Sequence, residues 1–256
     1  MLNPMTDTHC HLDFCEDPES AADPSLSAIV SIGTTLERCK RTLQLAEQFG
    51  NVWAALGIHP NDVDEAAEPL IREQIEDLAA HPKVVAIGET GVDTYWDKHP
   101  VEAQRESFRW QAALAKRLDK PLILHVRDKK DQEDASLEAI DLITEAAHPK
   151  GILHCFNGHE RLLAAGLELG WMVSFAGNLT YKNAKELRAA AKRVPRERLL
   201  VETDSPYLTP QAKRGERNVP ANVRLTAQVL AELRGESLTS IEEVTDENAK
   251  RVYALP

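Results

Sequence analysis

In Pro121-Leu122-Ile123-Leu124-His125-Val126-Arg127 an apolar run of strand length ends in a histidine and an arginine. Side chains alternate along a strand, so Ile123, His125 and Arg127 share one face while Leu122, Leu124 and Val126 share the other. A strand that is apolar on both faces belongs in a parallel sheet covered by helices. Seven further stretches have the same character: the opening segment through His11, then residues 28–33, 51–59, 84–89, 151–154, 171–175 and 199–204. Helical spacing separates them. Leu36, Cys39, Leu43 and Ala46 recur with it after the second stretch, and Phe108, Ala112 and Ala115 after the fourth. Other helical stretches cover roughly 67–80, 134–147, 158–169, 183–193, 220–234 and 240–253. Eight such units in 256 residues predict an α/β protein, a closed (β/α)8 TIM barrel, in preference to an open doubly wound sheet. No linker or composition shift divides residues 1–256, so a single barrel domain is expected over the whole length.

Composition narrows the function classes. The net charge of -11 excludes a general nucleic-acid-coating surface, which needs clustered Lys and Arg, but leaves room for a locally cationic cleft. No apolar run is long enough to span a bilayer and no basic-then-apolar leader opens the sequence, so a cytoplasmic protein without membrane association is expected. The four cysteines lack C-x-x-C spacing and read as reduced thiols, with Cys10 and Cys155 turned away from the site by strand parity. There is no G-x-G-x-x-G or Walker motif, so no nucleotide cofactor is expected.

Active sites of such barrels form at the C-terminal ends of the strands. Ligand-type residues gather there: His9 and His11 after the first strand, His59 after the third, Glu89 after the fourth, His125 after the fifth, His154 after the sixth and Asp204 after the last. His9 and His11, two apart, project to one face, a natural half of a metal site. Each residue also has a plainer use. His125 and His154 would serve as hydrogen-bonded core histidines, Glu89 and Asp204 as an internal ion pair. His59, in Gly57-Ile58-His59-Pro60, sits at the rim, where contact with a substrate phosphate or support of a ligand competes with ligation. Taken together the set suffices for two divalent metal ions, with Glu89 the natural bridge because its two oxygens can serve one metal each. Magnesium or manganese suits the carboxylates, and zinc suits the histidines.

The motifs Asp7-Thr8-His9-Cys10-His11-Leu12-Asp13, Gly57-Ile58-His59-Pro60, Gly88-Glu89-Thr90-Gly91-Val92-Asp93, His125-Val126-Arg127-Asp128, His154-Cys155-Phe156-Asn157-Gly158 and Glu202-Thr203-Asp204-Ser205-Pro206-Tyr207-Leu208 together resemble the TatD family of metal-dependent deoxyribonucleases. The resemblance runs in order across nearly the whole chain. It implies a (β/α)8 barrel, metal ligation by His9, His11, Glu89, His125, His154 and Asp204, and hydrolysis of DNA. It further implies 3'-5' exonuclease trimming and, in some members, incision at abasic sites, in the service of DNA repair or degradation. One departure stands out: near Arg214-Gly215-Glu216-Arg217-Asn218-Val219-Pro220 the family usually has Glu where this chain has Val219.

In such a site two metals about 3.5–4 Å apart share a hydroxide and clamp the attacking and leaving oxygens of a phosphodiester. Glu89 and Asp204 are then the expected catalytic residues, Asp204 orienting or deprotonating the water. Arg127 would neutralise phosphate oxygens, with pairing to Asp128 or Asp93 as the competing use. Arg214 and Arg217, with Lys213, Lys129 and Lys130, would form a basic rim for single-stranded DNA or a 3' end, or else a solvated loop. Tyr95, Trp96, Phe156 and Tyr207 would stack on unpaired bases or pack the rim. Two other classes compete. A lactone, ester or amide hydrolase of the amidohydrolase type would commonly bridge its metals with a carboxylated lysine, where this chain has Glu89. A non-catalytic scaffold would have lost ligands that are all present.

Overall fold

The computed structural model describes residues 3–256. Eight parallel strands form one sheet in chain order: β1 (Thr6–Cys10), β2 (Ala28–Gly33), β3 (Val52–Leu56), β4 (Val84–Asp93), β5 (Leu122–Arg127), β6 (Gly151–Leu153), β7 (Met172–Phe175) and β8 (Leu199–Val201). The sheet curls until its first and last strands meet. There the Asp204 N–H donates to the His9 carbonyl at 2.9 Å and the His11 N–H to the Ser205 carbonyl at 2.7 Å. Helices lie between the strands, and the TIM barrel expected from the alternation is the fold observed. Among the described residues no helix is long and apolar enough to cross a membrane.

The alternation in β5 is visible in the packing. Ile123 joins Val30, Ile32, Ala55, Ile152, Met172 and Leu200 in a compact cluster with Tyr253 and Ala249. Leu122, Leu124 and Val126 instead join the larger layer that meets the helices, where Phe108 and Ala112 of Val101–Arg117 and Leu43 and Ala46 of Leu36–Gln48 are buried. Each aliphatic side chain so buried contributes about 1.5–3 kcal/mol of transfer free energy.

Several expected strand ends move. The apolar start includes residues 1–2, which lie outside the described residues. His11 is past the end of β1 and precedes a short 3-10 helix, Leu12–Phe14. His59, His154 and Asp204 likewise lie beyond their strands, while β4 continues four residues past Glu89. The stretch from Glu16 to Ser25 holds a one-turn helix, Pro18–Ala21. The Asp17 side chain accepts from the Ser20 N–H, and proline at its start lacks only an N–H that no helix would use.

Candidate metal centre

A one-residue irregularity aims Glu89 inward. Ile87 pairs with Leu122 and Thr90 with Leu124, so three residues of β4 are matched to two of β5. Strict alternation from Ile87, which is in the outer layer, would have sent Glu89 toward the helices; the extra residue resets the phase. Gly91 lets the two strands stay close, with φ +146° and no room for a side chain: a Cβ there would sit 2.0 Å from the His125 carbonyl oxygen.

Around Glu89 the other five ligand candidates converge. One carboxylate oxygen, Oε1, lies 3.6 Å from His11 Nε2, and the other, Oε2, lies 2.9 Å from His154 Nε2, 3.4 Å from His125 Nδ1 and 3.7 Å from His9 Nε2. Asp204 Oδ1 stands 3.4 Å from His11 Nε2 and 3.8 Å from His9 Nε2. His9 and His154 stack with ring centroids 3.8 Å apart. Two groups able to hold a metal ion share Glu89: one with His9 and His11, the other with His125 and His154.

Charges are tightly coupled here. Burial pushes Glu89 up, but His154 and His125 outweigh it and hold the carboxyl well below its usual range. Burial, reinforced by His154, drives His9 well below the ordinary imidazole value. His154 moves the other way: burial lowers it, and the carboxylates of Glu202 and Glu89 more than reverse that. Both ring nitrogens of His9 are buried without a hydrogen-bond partner, although Nε2 faces two carboxylates. A neutral buried imidazole beside carboxylate oxygens, lacking any donor between them, fits a cation seated among these atoms.

Two carboxylates not singled out as site residues in the sequence support the ligands from behind. Glu202, fully buried, faces His154 Nδ1 at 3.2 Å and accepts from the Cys155 N–H at 2.7 Å. Asp93 faces His125 Nε2 at 3.3 Å and accepts from the N–H groups of Tyr95 and Trp96 and from the Asn61 amide. Burial pushes Asp93 up, yet His125 and these donors hold it at about 2. Both residues stand inside the quoted motifs, two residues from Asp204 and four from Glu89. Their acidity and placement next to a ligand were the available signal. Arg38 makes a similar bridge, donating two hydrogen bonds to Asp13 and approaching His11 Nδ1 at 3.4 Å.

The rim is less uniformly basic than the sequence suggests. Lys213 faces Glu216 at 3.1 Å, Arg217 faces Glu16 at 3.8 Å, Lys129 faces Asp97 at 3.0 Å and Lys130 faces Asp131 at 4.0 Å. Arg214 stands over the Tyr181 ring at 5.5 Å. Arg127 pairs with neither Asp128 nor Asp93 but lies over Tyr95 at 4.0 Å and Trp96 at 5.3 Å. His59 touches the site through His125, ring centroids 4.4 Å apart, and burial together with His125 lowers it to about 3. Phe156 is buried against Phe175 and leaves the set of possible base-stacking side chains, because its ring has no free face. Val219 is partly exposed and lines a cavity of about 370 Å³ with Cys15, Arg217 and Asn218.

A barrel with a carboxylate-bridged histidine cluster at its mouth defines a class, the metal-dependent hydrolases. Within that class the chain belongs to the TatD family: the family model described as TatD related DNase matches residues 6–254. It is 39% identical to the uncharacterized metal-dependent hydrolase YabD of Bacillus subtilis, over 98% of this chain and 99% of that protein. It is 34% identical to a protein of Pectobacterium parmentieri named 3'-5' ssDNA/RNA exonuclease TatD, over 92% of this chain and 91% of that one. The crystal structure of YJJV, a TatD homologue from Escherichia coli, superposes with a TM-score of 0.88 at 30% identity, covering 98% of each chain.

Proposed function

We propose that this protein is a divalent-metal-dependent nuclease that hydrolyses phosphodiester bonds of DNA in the cytoplasm, trimming single strands from the 3' end and able to incise at abasic sites. The observation that carries the reading is Glu89, whose two oxygens face histidines of two separate groups. The Pectobacterium relative's name supports the choice of substrate. His9, His11, Glu89 and Asp204 would hold one ion, and Glu89, His125 and His154 a second, magnesium or manganese being favoured by the carboxylates. Such ions supply Lewis acidity to a phosphoryl oxygen and lower the pKa of water.

The chain's own groups do the rest. Asp204 stands at the mouth, its backbone N–H tied to the His9 carbonyl and its carboxylate 3.4 Å from His11 Nε2, where it can orient a water and accept its proton. The water oxygen attacks phosphorus, the bond from phosphorus to the leaving sugar oxygen breaks, and that oxygen leaves as an alcohol by taking up a proton, which restores the Asp204 carboxylate when passed on from it directly or through solvent. His59, uncharged at neutral pH, adds no competing positive charge to the cluster. Arg127, on the same strand as His125 and without a carboxylate partner among the described residues, neutralises the non-bridging oxygens. The test is shortening of a labelled single-stranded oligonucleotide with magnesium or manganese. Activity confined to lactones or esters would replace this reading with the amidohydrolase-type alternative.

A further inference from the structure

The nuclease reading leaves unexplained where the exposed aromatic side chains stand. Among the described residues four large aromatic side chains are exposed, Phe14, Tyr95, Trp96 and Tyr207, and all belong to segments that follow strand ends at the mouth. They form two pairs. Phe14 and Tyr207 follow β1 and β8, with centroids 6.5 Å apart, and both lie beside His11, at 6.3 and 5.8 Å. Tyr95 and Trp96 follow β4, with centroids 5.0 Å apart, and their backbone N–H groups bind the Asp93 carboxylate that faces His125. In a sheet ordered β1 to β8, the β8/β1 junction and the β4/β5 edge are on opposite sides of the barrel. The histidine cluster therefore lies between the two pairs.

Each pair also has an arginine against it. The Arg38 guanidinium lies 3.5 Å from the Phe14 centroid and is locked by Asp13, and Arg127 lies over Tyr95. A guanidinium on one face of a ring leaves the other face for a second flat partner and supplies positive charge for a nearby phosphate. Exposed apolar rings are costly in water unless a ligand covers them, and grouping all four around one cluster is not what scattered surface residues show.

We infer that these pairs are two base-stacking platforms, so that a phosphodiester at the cluster has one flanking nucleobase on Phe14 and Tyr207 and the other on Tyr95 and Trp96. This rests on the nuclease reading and adds a substrate requirement to its 3'-end trimming, not to incision beside a missing base, which leaves one platform empty: the two nucleosides flanking the trimmed bond must be unpaired and splayed to opposite sides. A duplex cannot meet that requirement, because its neighbouring bases remain stacked on each other.

The test separates base recognition from cleavage. Manganese-loaded protein is titrated by fluorescence anisotropy with a hydrolysis-resistant phosphorothioate oligothymidylate and with an abasic chain of the same length and linkage. The expected result is tighter binding of the base-bearing chain. Y95A/W96A and F14A/Y207A should each remove about tenfold of that affinity while leaving the abasic chain unchanged. Equal binding of the two chains by the wild type, binding of neither, or equal weakening of both chains in the variants would overturn the platforms. Cleavage of natural oligonucleotide is scored separately. Base-dependent binding without cleavage would overturn the nuclease reading and leave the platforms standing, and cleavage without base preference would do the reverse.

Discussion

Glu202 Oε1 lies 3.2 Å from Nδ1 of His154, on the side of the ring opposite Glu89. A carboxylate there holds the proton on Nδ1 and leaves Nε2 to face the cluster, the usual way of orienting a histidine ligand. Glu202→Gln keeps the shape and removes the charge. It should weaken manganese affinity by about 10–100-fold with the fold retained. Calorimetric titration with manganese checks this, and wild-type affinity in the variant would remove Glu202 from any supporting role.

The same pair sets a pH dependence. His154 is held well above the ordinary imidazole value, so without metal its Nε2 keeps a proton to higher pH than usual. That proton and a metal ion compete for one lone pair, so metal affinity should rise with pH and keep rising above about 6.5. For the metal-free fold the sign reverses. A raised histidine pKa stabilises fully below the unfolded value and its contribution fades as pH climbs through the folded one. Titrations between about pH 6 and pH 9, in buffers of different ionisation enthalpy, count the released proton. A flat profile with no proton release would be incompatible with this competition.

Glu89→Ala removes the one group common to both halves of the cluster. Hydrolysis should be abolished, a loss well beyond the ~10–100-fold of a change behind the ligands. The thermal stabilisation that added metal confers on the wild type should shrink with it. Circular dichroism should remain that of the wild type, since the carboxylate packs against no helix. Near-normal turnover in this variant would refute the shared-carboxylate arrangement.

Much of the architecture could be read from the chain because its signals are local. The two-residue period of Ile123, His125 and Arg127 against Leu122 and Leu124 survives intact in the packing. Glu89 shows where period alone fails: its phase depends on an irregularity between Ile87 and Thr90 that no alternation announces. Asp93 and Glu202 show a second limit. Each acts through a histidine that is distant in sequence, 32 residues from Asp93 to His125 and 48 from Glu202 to His154, so only the folded barrel pairs them. For Arg127 the sequence leaves phosphate contact and ion pairing open; the ion pair is not formed, and the aromatic rings it covers hold the guanidinium at the mouth.

Gly91→Ala tests the close approach that the cluster needs. The added methyl would meet the His125 carbonyl, and the φ of +146° is one that alanine rarely adopts. Strain and displacement together should cost about 3 kcal/mol or more of stability. Where the variant still folds, the group formed by Glu89, His125 and His154 should lose metal first, since the His125 backbone is what must move. Urea denaturation with and without manganese reads both effects, and an unchanged midpoint would contradict the packing.

Thr203→Val tests how the barrel's closing seam holds Asp204. Asp7 is fully buried, and its carboxylate accepts from the Thr203 N–H at 2.9 Å and from the Thr203 hydroxyl at 2.6 Å. That hydroxyl also accepts from the Ser205 N–H at 3.1 Å, so one side chain braces both neighbours of Asp204. Valine matches the shape but leaves a buried carboxylate short of a donor, which should cost about 2–3 kcal/mol. Burial already raises Asp7 well above the usual carboxyl value, with the Thr203 bonds pulling it down. Losing one of them raises it further, so the folded variant holds its proton to higher pH. For an acid whose folded pKa is raised, stability falls as pH climbs from the unfolded value to the folded one. The variant's deficit should therefore grow as pH rises past the wild type's raised Asp7 value, and stability curves followed upward from about pH 4 that stay parallel to the end of the folded range would show that Asp7 is not the group made short of a donor.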